Sequence, residues 1–414
     1  MTRFIHLFFI VYILTASPAW ANNYDFTKLT LNDAHNIALD NNYELIYLKE
    51  EIKSRYSAGL EYQAQYFPQI NAGVIFPFYG RSSSINVDQL LFDFGKLSKR
   101  INAGKYLVRA QEYAHEGKKI QILNQVTMKF YEILKAKNLI EGFELEKKLK
   151  EKLVEKSAAF LEAGRVSSLD LTQKKLHLSS VELQKIQHEG RMRRYQEELF
   201  TLLGVSTPDE VGYIADQNYT KIDLNAELII DSYLMNMNEV KALEMTILST
   251  KSYISAIYRD FLPNIVARAS YRFKGKGVSS EDTLDLIGGM GATWQLFNGG
   301  RTYHQIQAQK SLLKAQITKL RMLKQRLGGQ VKTAIIEAET KYYRISVIEQ
   351  SLESSLEHYE YVKTKYNSGE SSEVNLLEAT NLKNKQEIFY QNSIYDYIIK
   401  IARIERITGL NITK

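Results

Sequence analysis

The stretch WQLFNGGRTYHQ, residues 294–305, has an earlier counterpart in DQLLFDFGKLSK, residues 88–99. In both, an apolar run ends in Leu-Phe, then Asp or Asn, then glycine and a basic residue. Other phrases recur around it. NNYELIYLKEEI (41–52) returns as NMNEVKALEMTI (236–247), and FPQI (67–70) as LPNI (262–265). AGRVSSLDLTQ (163–173) returns as SGESSEVNLLE (368–378), and LLG (202–204) as ITG (407–409). The offset is 195 from Glu44 to Glu239 and from Pro68 to Pro263. It is 205 from Phe92 to Phe297, from Gly164 to Gly369 and from Gly204 to Gly409. Two copies of one supersecondary unit make the chain, and the second holds ten more residues between its proline and its Leu-Phe. A period this long is not that of a short-repeat solenoid.

Each copy reads in the same order. Residues 30–66 and 225–261 are rich in Leu, Ile, Ala, Glu and Tyr and predict a helix that proline ends. A strand pair follows. Ile265, Ala267, Ala269, Tyr271 and Phe273 alternate with Val266, Arg268, Ser270 and Arg272, a period of two with one apolar face. The return carries Leu286, Met290, Ala292, Trp294 and Leu296 on one face, after a polar tip KGKGVSSEDTLD (274–285). The first copy is shorter, with Ile70, Ala72, Val74, Phe76 and Phe78 leading up and Ile85, Val87 and Leu91 leading back. Asp93 and Asn298 then stand as N-caps of long helices, and Gly95 and Gly299-Gly300 permit the turn. The helix after Gly300 places Leu320, Leu323, Leu327, Val331, Ile335, Ala338 and onward to Tyr366 at steps of three or four, a coiled-coil-like seam. About 65 residues at ~1.5 Å each give a rod near 100 Å. Gly164 and Gly369 turn the rods, and shorter helices return to Gly204 and Gly409.

The first segment stands apart. Arg3, the apolar run FIHLFFIVYILTA (4–16) and Ala19-x-Ala21 read as a secretory signal peptide over residues 1–21. The mature part then divides into a first repeat, 22–211, with a hairpin about 69–92 and a helical hairpin about 95–203. The second repeat, 212–414, has its hairpin about 264–297 and its helical hairpin about 300–408. The chain has no cysteine, hence neither disulfides nor a lipid-bearing Cys after the cleavage site, where Asn22 stands. No later stretch is apolar and long enough for a spanning helix, so entry into a membrane is expected through strands. Net charge is +7, with basic and acidic residues interleaved, and RMRRY (191–195) reads as helix surface; nucleic acid is not expected as a partner. No two of the seven histidines have helical metal-site spacing, and no nucleophile elbow, HExxH or phosphate-loop motif appears. No catalytic site, metal or cofactor is expected.

Four strands with one apolar face match a membrane barrel wall, yet four cannot enclose a lumen, and open edges are not tolerated in lipid. Strands from further copies of the chain are required. The fold class expected is mainly α with a membrane β-barrel part. The signal peptide, the two-fold repeat, LFDFG/LFNGGR, AGRVSSLDL and YNSGESSEVNLLEAT together resemble the TolC-type outer-membrane efflux and secretion channels over essentially the whole mature chain. The resemblance implies a homotrimer whose twelve strands form one outer-membrane barrel, continued by a periplasmic tunnel of helices. It implies docking to a periplasmic adaptor protein and an inner-membrane pump, with outer-membrane lipid around the barrel. Export of small molecules is the expected function. Type I protein secretion is an alternative, and a non-transporting periplasmic coiled-coil protein is the reading from a different class.

The same resemblance places a periplasmic gate near the helix turns. Two acidic positions of the family fall on Asn375 and Glu378, so one acid is absent; the first-copy positions are Asp170 and Gln173. Tyr366 matches a tyrosine that ties neighbouring helices shut. Capping after Ser167 and Ser372 explains Asp170 and Asn375 equally well, and exposure on a helix surface explains Glu378. The tips Gly164, Arg165, Gly369 and Glu370 resemble the adaptor-docking surface. Phe76, Phe78, Ala269, Tyr271, Phe273, Ala292 and Trp294 are expected to face the membrane, the aromatics at its interfaces.

Overall fold

The structure, a computed structural model, describes residues 24–75, 82–214, 219, 227, 229–230, 236–274 and 285–409. The expected signal peptide, Phe76, Phe78 and most of the polar tip 274–285 lie outside them. In chain order the elements are β1 (Leu29–Thr30), α1 (Leu31–Asn41), α2 (Tyr43–Ala64), β2 (Gln69–Ile75), β3 (Ser82–Phe92), α3 (Lys96–Glu162) and α4 (Ser168–Leu203). Then come β4 (Tyr213–Ile214), α5 (Asn238–Tyr258), β5 (Asn264–Lys274), β6 (Asp285–Thr293), α6 (Arg301–Asn367) and α7 (Glu373–Thr408). The repeat is literal in length. α3 and α6 each have 67 residues, and α4 and α7 each have 36.

The repeat is also literal in packing. Ile122, Val126, Phe130 and Ile133 are buried on α3, and Leu327, Val331, Ile335 and Ala338, each 205 residues later, are buried on α6. The returning helices supply Leu199 and Ile404 at the same offset. Two apolar clusters result, each where a long helix meets the upper end of its returning partner. Helix neighbours give a wall one helix thick: α4, α3, α7 and α6 in that order at one level, and α2, α3, α5 and α6 at the other. α3 and α6 run through both levels.

Both rods end alike. Gly164 (φ 68°) and Gly369 (φ 79°) take the left-handed conformation. The next N–H reaches back from Arg165 to the Phe160 carbonyl and from Glu370 to the Lys365 carbonyl, both at 2.8 Å. This is the glycine-dependent closure that satisfies otherwise orphaned helix carbonyls.

Four expectations need correction. Residues 30–66 are not one helix. Asn42 breaks it: its side-chain oxygen accepts from the backbone N–H of Glu44 and Leu45, capping α2, and its amide donates to the Leu202 carbonyl at 2.7 Å. The first return strand does not alternate through Leu91, because the pairing with β5 shifts between Leu90 and Phe92 and sets Phe92 opposite Ile265. The second hairpin ends at Thr293 rather than 297, so Trp294 lies one residue past β6. Thr293 pairs with Asn264, and the next rung would fall on Pro263, which has no N–H to give. Finally, neither proposed residue is the N-cap, which is Gly95 for α3 and Gly300 for α6. Buried Asp93 accepts from the N–H of Gly95 (2.9 Å) and Leu97 (2.6 Å), whereas Asn298 donates its amide to the Thr302 hydroxyl at 2.7 Å.

Candidate channel wall and tips

The two hairpins join into one antiparallel sheet, ordered β2-β3-β5-β6. β3 of the first copy pairs with β5 of the second, so the repeat meets itself at the centre of the sheet. β2 and β6 are the edges, with no strand beyond either among the described residues. Cross-strand partners share a face. Val87 opposite Ala269, Ile70 opposite Val87, Ala267 opposite Met290 and Ile265 opposite Ala292 collect the apolar side chains on one surface. Their exposure is high: Ile70 and Leu286 at 70% and Met290 at 80%. Ala269 and Tyr271 stand on this face at half-buried positions, and Ala292 is exposed. Phe273 occupies the register position opposite Ser83.

The other surface is largely polar and satisfied across strands. Asp88 faces Arg268 in register and accepts from its Nε at 3.0 Å. Asn86 faces Ser270 and accepts its hydroxyl at 2.8 Å. Leu90, Val266 and Ile287 are among the apolar exceptions on that side. Where sheet meets helices the two copies are laced together. Asp260 pairs with Lys96 (3.2 Å) and Arg100 (3.5 Å), and Arg259 donates to the Phe94 carbonyl at 2.9 Å. The Trp294 indole donates to the Phe261 carbonyl at 2.9 Å, which fixes it at this junction.

At the opposite end, the tips bring together some of the sequence-derived gate residues and not others. Asp170 forms a reciprocal capping box: its carboxylate accepts from the Ser167 N–H and hydroxyl, and its own N–H donates to the Ser167 hydroxyl at 3.2 Å. Asn375 makes only half of this arrangement, donating its N–H to the Ser372 hydroxyl at 3.3 Å while its side chain turns to Ser371. Gln173 and Glu378 are exposed on α4 and α7 without touching one another. Tyr366 is 39% exposed, close enough to Lys152 to favour that lysine's charge. Lys152 itself, on α3, pairs with Glu373 at the start of α7, and that hydrogen bond raises the lysine pKa. This ion pair ties one copy to the other at the tip.

A second knot lies higher. Asp396 of α7 takes Lys135 of α3 and Lys341 of α6 (2.7 Å), with Arg344 at 3.9 Å. Burial pushes its carboxyl up, but the two lysine hydrogen bonds and charges outweigh this and hold it below the usual value. Sequence reading missed both knots. A signal existed for one: the residue 205 positions before Asp396 is Arg191, a charge reversal inside an otherwise faithful repeat.

Two blocks of the chain, residues 38–205 and 229–410, match a sequence model described as outer membrane efflux protein. The chain belongs to that family. One block falls within each repeat. Solved structures of similar fold include the outer membrane channel CmeC of Campylobacter jejuni, 17% identical with a TM-score of 0.77, covering 92% of this chain and 85% of that one. The outer membrane protein VceC of Vibrio cholerae has 14% identity and a TM-score of 0.71, covering 92% and 96%. The outer membrane channel MtrE of Neisseria gonorrhoeae, in its open state, has 15% identity and a TM-score of 0.72, covering 92% and 89%. Among curated proteins none matches the sequence. Outer membrane efflux proteins are transport ducts rather than enzymes. Among the described residues no group of three His, Cys, Asp or Glu could hold a metal ion, and no helix is long and apolar enough to cross a membrane.

Proposed function

We propose that this efflux family member is the outer-membrane exit duct of a tripartite system that exports small molecules. Three copies would pool twelve strands into one barrel and continue it as a helical tunnel across the periplasm. The observation that carries the reading is the four-stranded sheet, with its exposed apolar face, satisfied polar face and two edges unpaired among the described residues. In lipid, unpaired backbone groups cost several kcal/mol each, so such a sheet is stable there only when closed by other copies. The apolar face turned outward meets lipid, and the polar face, with Arg268 neutralised by Asp88, lines water.

The tips would serve the partners. Gly164, Arg165, Gly369 and Glu370 are exposed at the ends of the rods, where a periplasmic adaptor can reach them and link the duct to an inner-membrane pump. Asp170, Gln173, Tyr366, Asn375 and Glu378 surround the same end and would form the gate.

The test combines location and phenotype. Deletion should raise susceptibility to toxic small molecules, and the protein should extract only in detergent, as a heat-modifiable trimer. Ala269→Arg places a charge on the lipid face half-way along β5 and costs about 2–4 kcal/mol per chain near mid-bilayer, so little trimer should assemble. Ser270→Arg, on the other face at the same depth, should assemble normally. Release without detergent, or equal assembly of both variants, overturns the reading. Loss of a secreted protein with susceptibility unchanged replaces efflux by protein secretion.

A further inference from the structure

The end of α7 and the start of α5 meet at a cavity of about 750 Å³, flanked by α3 and α6. The first copy is joined by hydrogen bonds at the equivalent place. There Asn42 caps α2 and donates its amide to the Leu202 carbonyl, and the Asn41 carbonyl lies against Gly204. The second-copy counterparts are Asn236, Met237, Ile407 and Gly409, and all four line the cavity. Methionine has no amide to give, and α5 starts without a side-chain cap. The space beside the Gly409 Cα is open.

The charge of this cavity is one-sided. Arg55, Lys118, Lys319, Arg326 and Arg406 line it, against the acid Glu239 alone among the described residues. Glu51 matches Arg55, Glu44 matches Lys118 and Glu239 matches Arg326 at 3.5 Å, which leaves Lys319 and Arg406. Neither makes an ion pair among the described residues. The Arg406 Nε is fully buried and has no hydrogen-bond acceptor among them. A desolvated guanidinium N–H without an acceptor is costly, so the site calls for one. A water could serve Nε, but it would leave both charges unmatched. Three of the cations belong to the second copy alone: Lys319, Arg326 and Arg406 stand where the first has Ala114, Gln121 and Thr201. Beside them the lining is apolar, with Met237, Leu323, Leu327 and Ile407 each at most 8% exposed.

We propose that this cavity binds a small amphipathic anion, a carboxylate or sulfonate on an apolar body. The Arg406 guanidinium receives the anionic group, because its planar fork can donate to two oxygens at once. Lys319 adds charge from an exposed position, and the body lies on Met237, Leu323, Leu327 and Ile407. These walls all come from one chain, so the inference goes beyond the duct reading and does not rest on it. The occupant arrives from water rather than from a bilayer, since the 21 residues of α5, ~30 Å of helix, separate the cavity from the sheet. Once bound, it bridges α5, α6 and α7, a joint that Asn42 makes directly in the first copy.

Titration calorimetry of the purified protein in detergent, against a detergent blank, tests this with naphthalene-2-sulfonate as the probe. Saturable binding at one site per chain is expected. Naphthalene-2-sulfonamide, similar in shape but uncharged, should bind on the order of tenfold more weakly. Arg406→Gln should weaken the sulfonate about tenfold, and exposed Lys319→Gln about threefold. The sulfonate should also raise the wild-type melting temperature. Arg406→Gln should lose that rise, and Arg406→Lys, which keeps the charge without the fork, should retain part of it. Wild type that binds no sulfonate saturably overturns the site. Equal binding of sulfonate and sulfonamide, or of sulfonate by wild type and Arg406→Gln, leaves an apolar groove and overturns the anion assignment. Either failure concerns a cavity within one chain and leaves the duct reading standing.

Discussion

The two copies have the same backbone at their upper ends and different surroundings. Gly204 and Gly409 both cap a returning helix in the left-handed conformation, with φ of 71° and 73°. A Cβ on Gly204 would collide with the Asn41 carbonyl, whereas a Cβ on Gly409 meets nothing. On the first copy the neighbour is the N-terminal segment. There Phe26 and Leu29 exchange backbone hydrogen bonds with Gly212, and Asn42 holds the Leu202 carbonyl. The same backbone turn thus has different surroundings in the two copies among the described residues.

The largest expected effect follows from that difference. Gly204→Ala combines left-handed strain of about 1–2 kcal/mol with a backbone clash of about 1–3 kcal/mol that no side-chain rotation relieves. Gly409→Ala incurs only the first. Thermal unfolding of the purified proteins in detergent should show Gly204→Ala clearly the less stable; equal loss would mean the N-terminal layer does not press on Gly204.

The next effect contrasts Asp396 with its first-copy counterpart, Arg191. Asp396→Asn leaves Lys135 and Lys341 partly buried without their acid and should cost about 1–3 kcal/mol. Arg191→Gln, on an exposed position, should stay within about 0.5 kcal/mol. pH sharpens the comparison. The folded Asp396 pKa lies below the ordinary 3.8, so its contribution is complete above 3.8 and is lost as pH falls through the folded value. Stabilities of wild type and Asp396→Asn should therefore converge in strong acid, and a gap that stays constant would remove the knot from the account.

Much of this was legible in sequence because the signals were large. Glycines 205 residues apart fixed rods of equal length, and period-two alternation at Ile265–Tyr271 fixed the sheet. What escaped depended on contacts between distant residues. Asn42 breaks a helix by capping the next and holding Leu202, without the proline or glycine that marks a break. β6 stops before Trp294 because the partner position there falls on Pro263, 31 residues earlier. At the gate, sequence left capping and gating equal for Asp170 and Asn375. The structure gives Asp170 a complete capping box and Asn375 half of one.

That last asymmetry leads to the smallest and most specific effect. Each copy carries one acid and one amide at the tip, in opposite places: Asp170 and Gln173, then Asn375 and Glu378. The Asp170 carboxylate is engaged by the Ser167 N–H and hydroxyl, while Glu378 projects from an exposed position on α7. A carboxylate already accepting hydrogen bonds is less available to a passing cation than a free one. In planar bilayers, Glu378→Gln should therefore reduce cation preference more than Asp170→Asn, which should instead lower stability by about 0.5–1 kcal/mol. Tyr366 offers the complementary test, because its first-copy counterpart is Leu161 and only the second copy has a hydroxyl there. A hydroxyl bond to a neighbouring helix is worth ~0.5–1.5 kcal/mol, and three copies multiply it, so Tyr366→Phe should raise conductance at unchanged selectivity. If Asp170→Asn alters selectivity as much as Glu378→Gln, and Tyr366→Phe conducts like wild type, the tip residues cap helices and the constriction lies elsewhere in the tunnel.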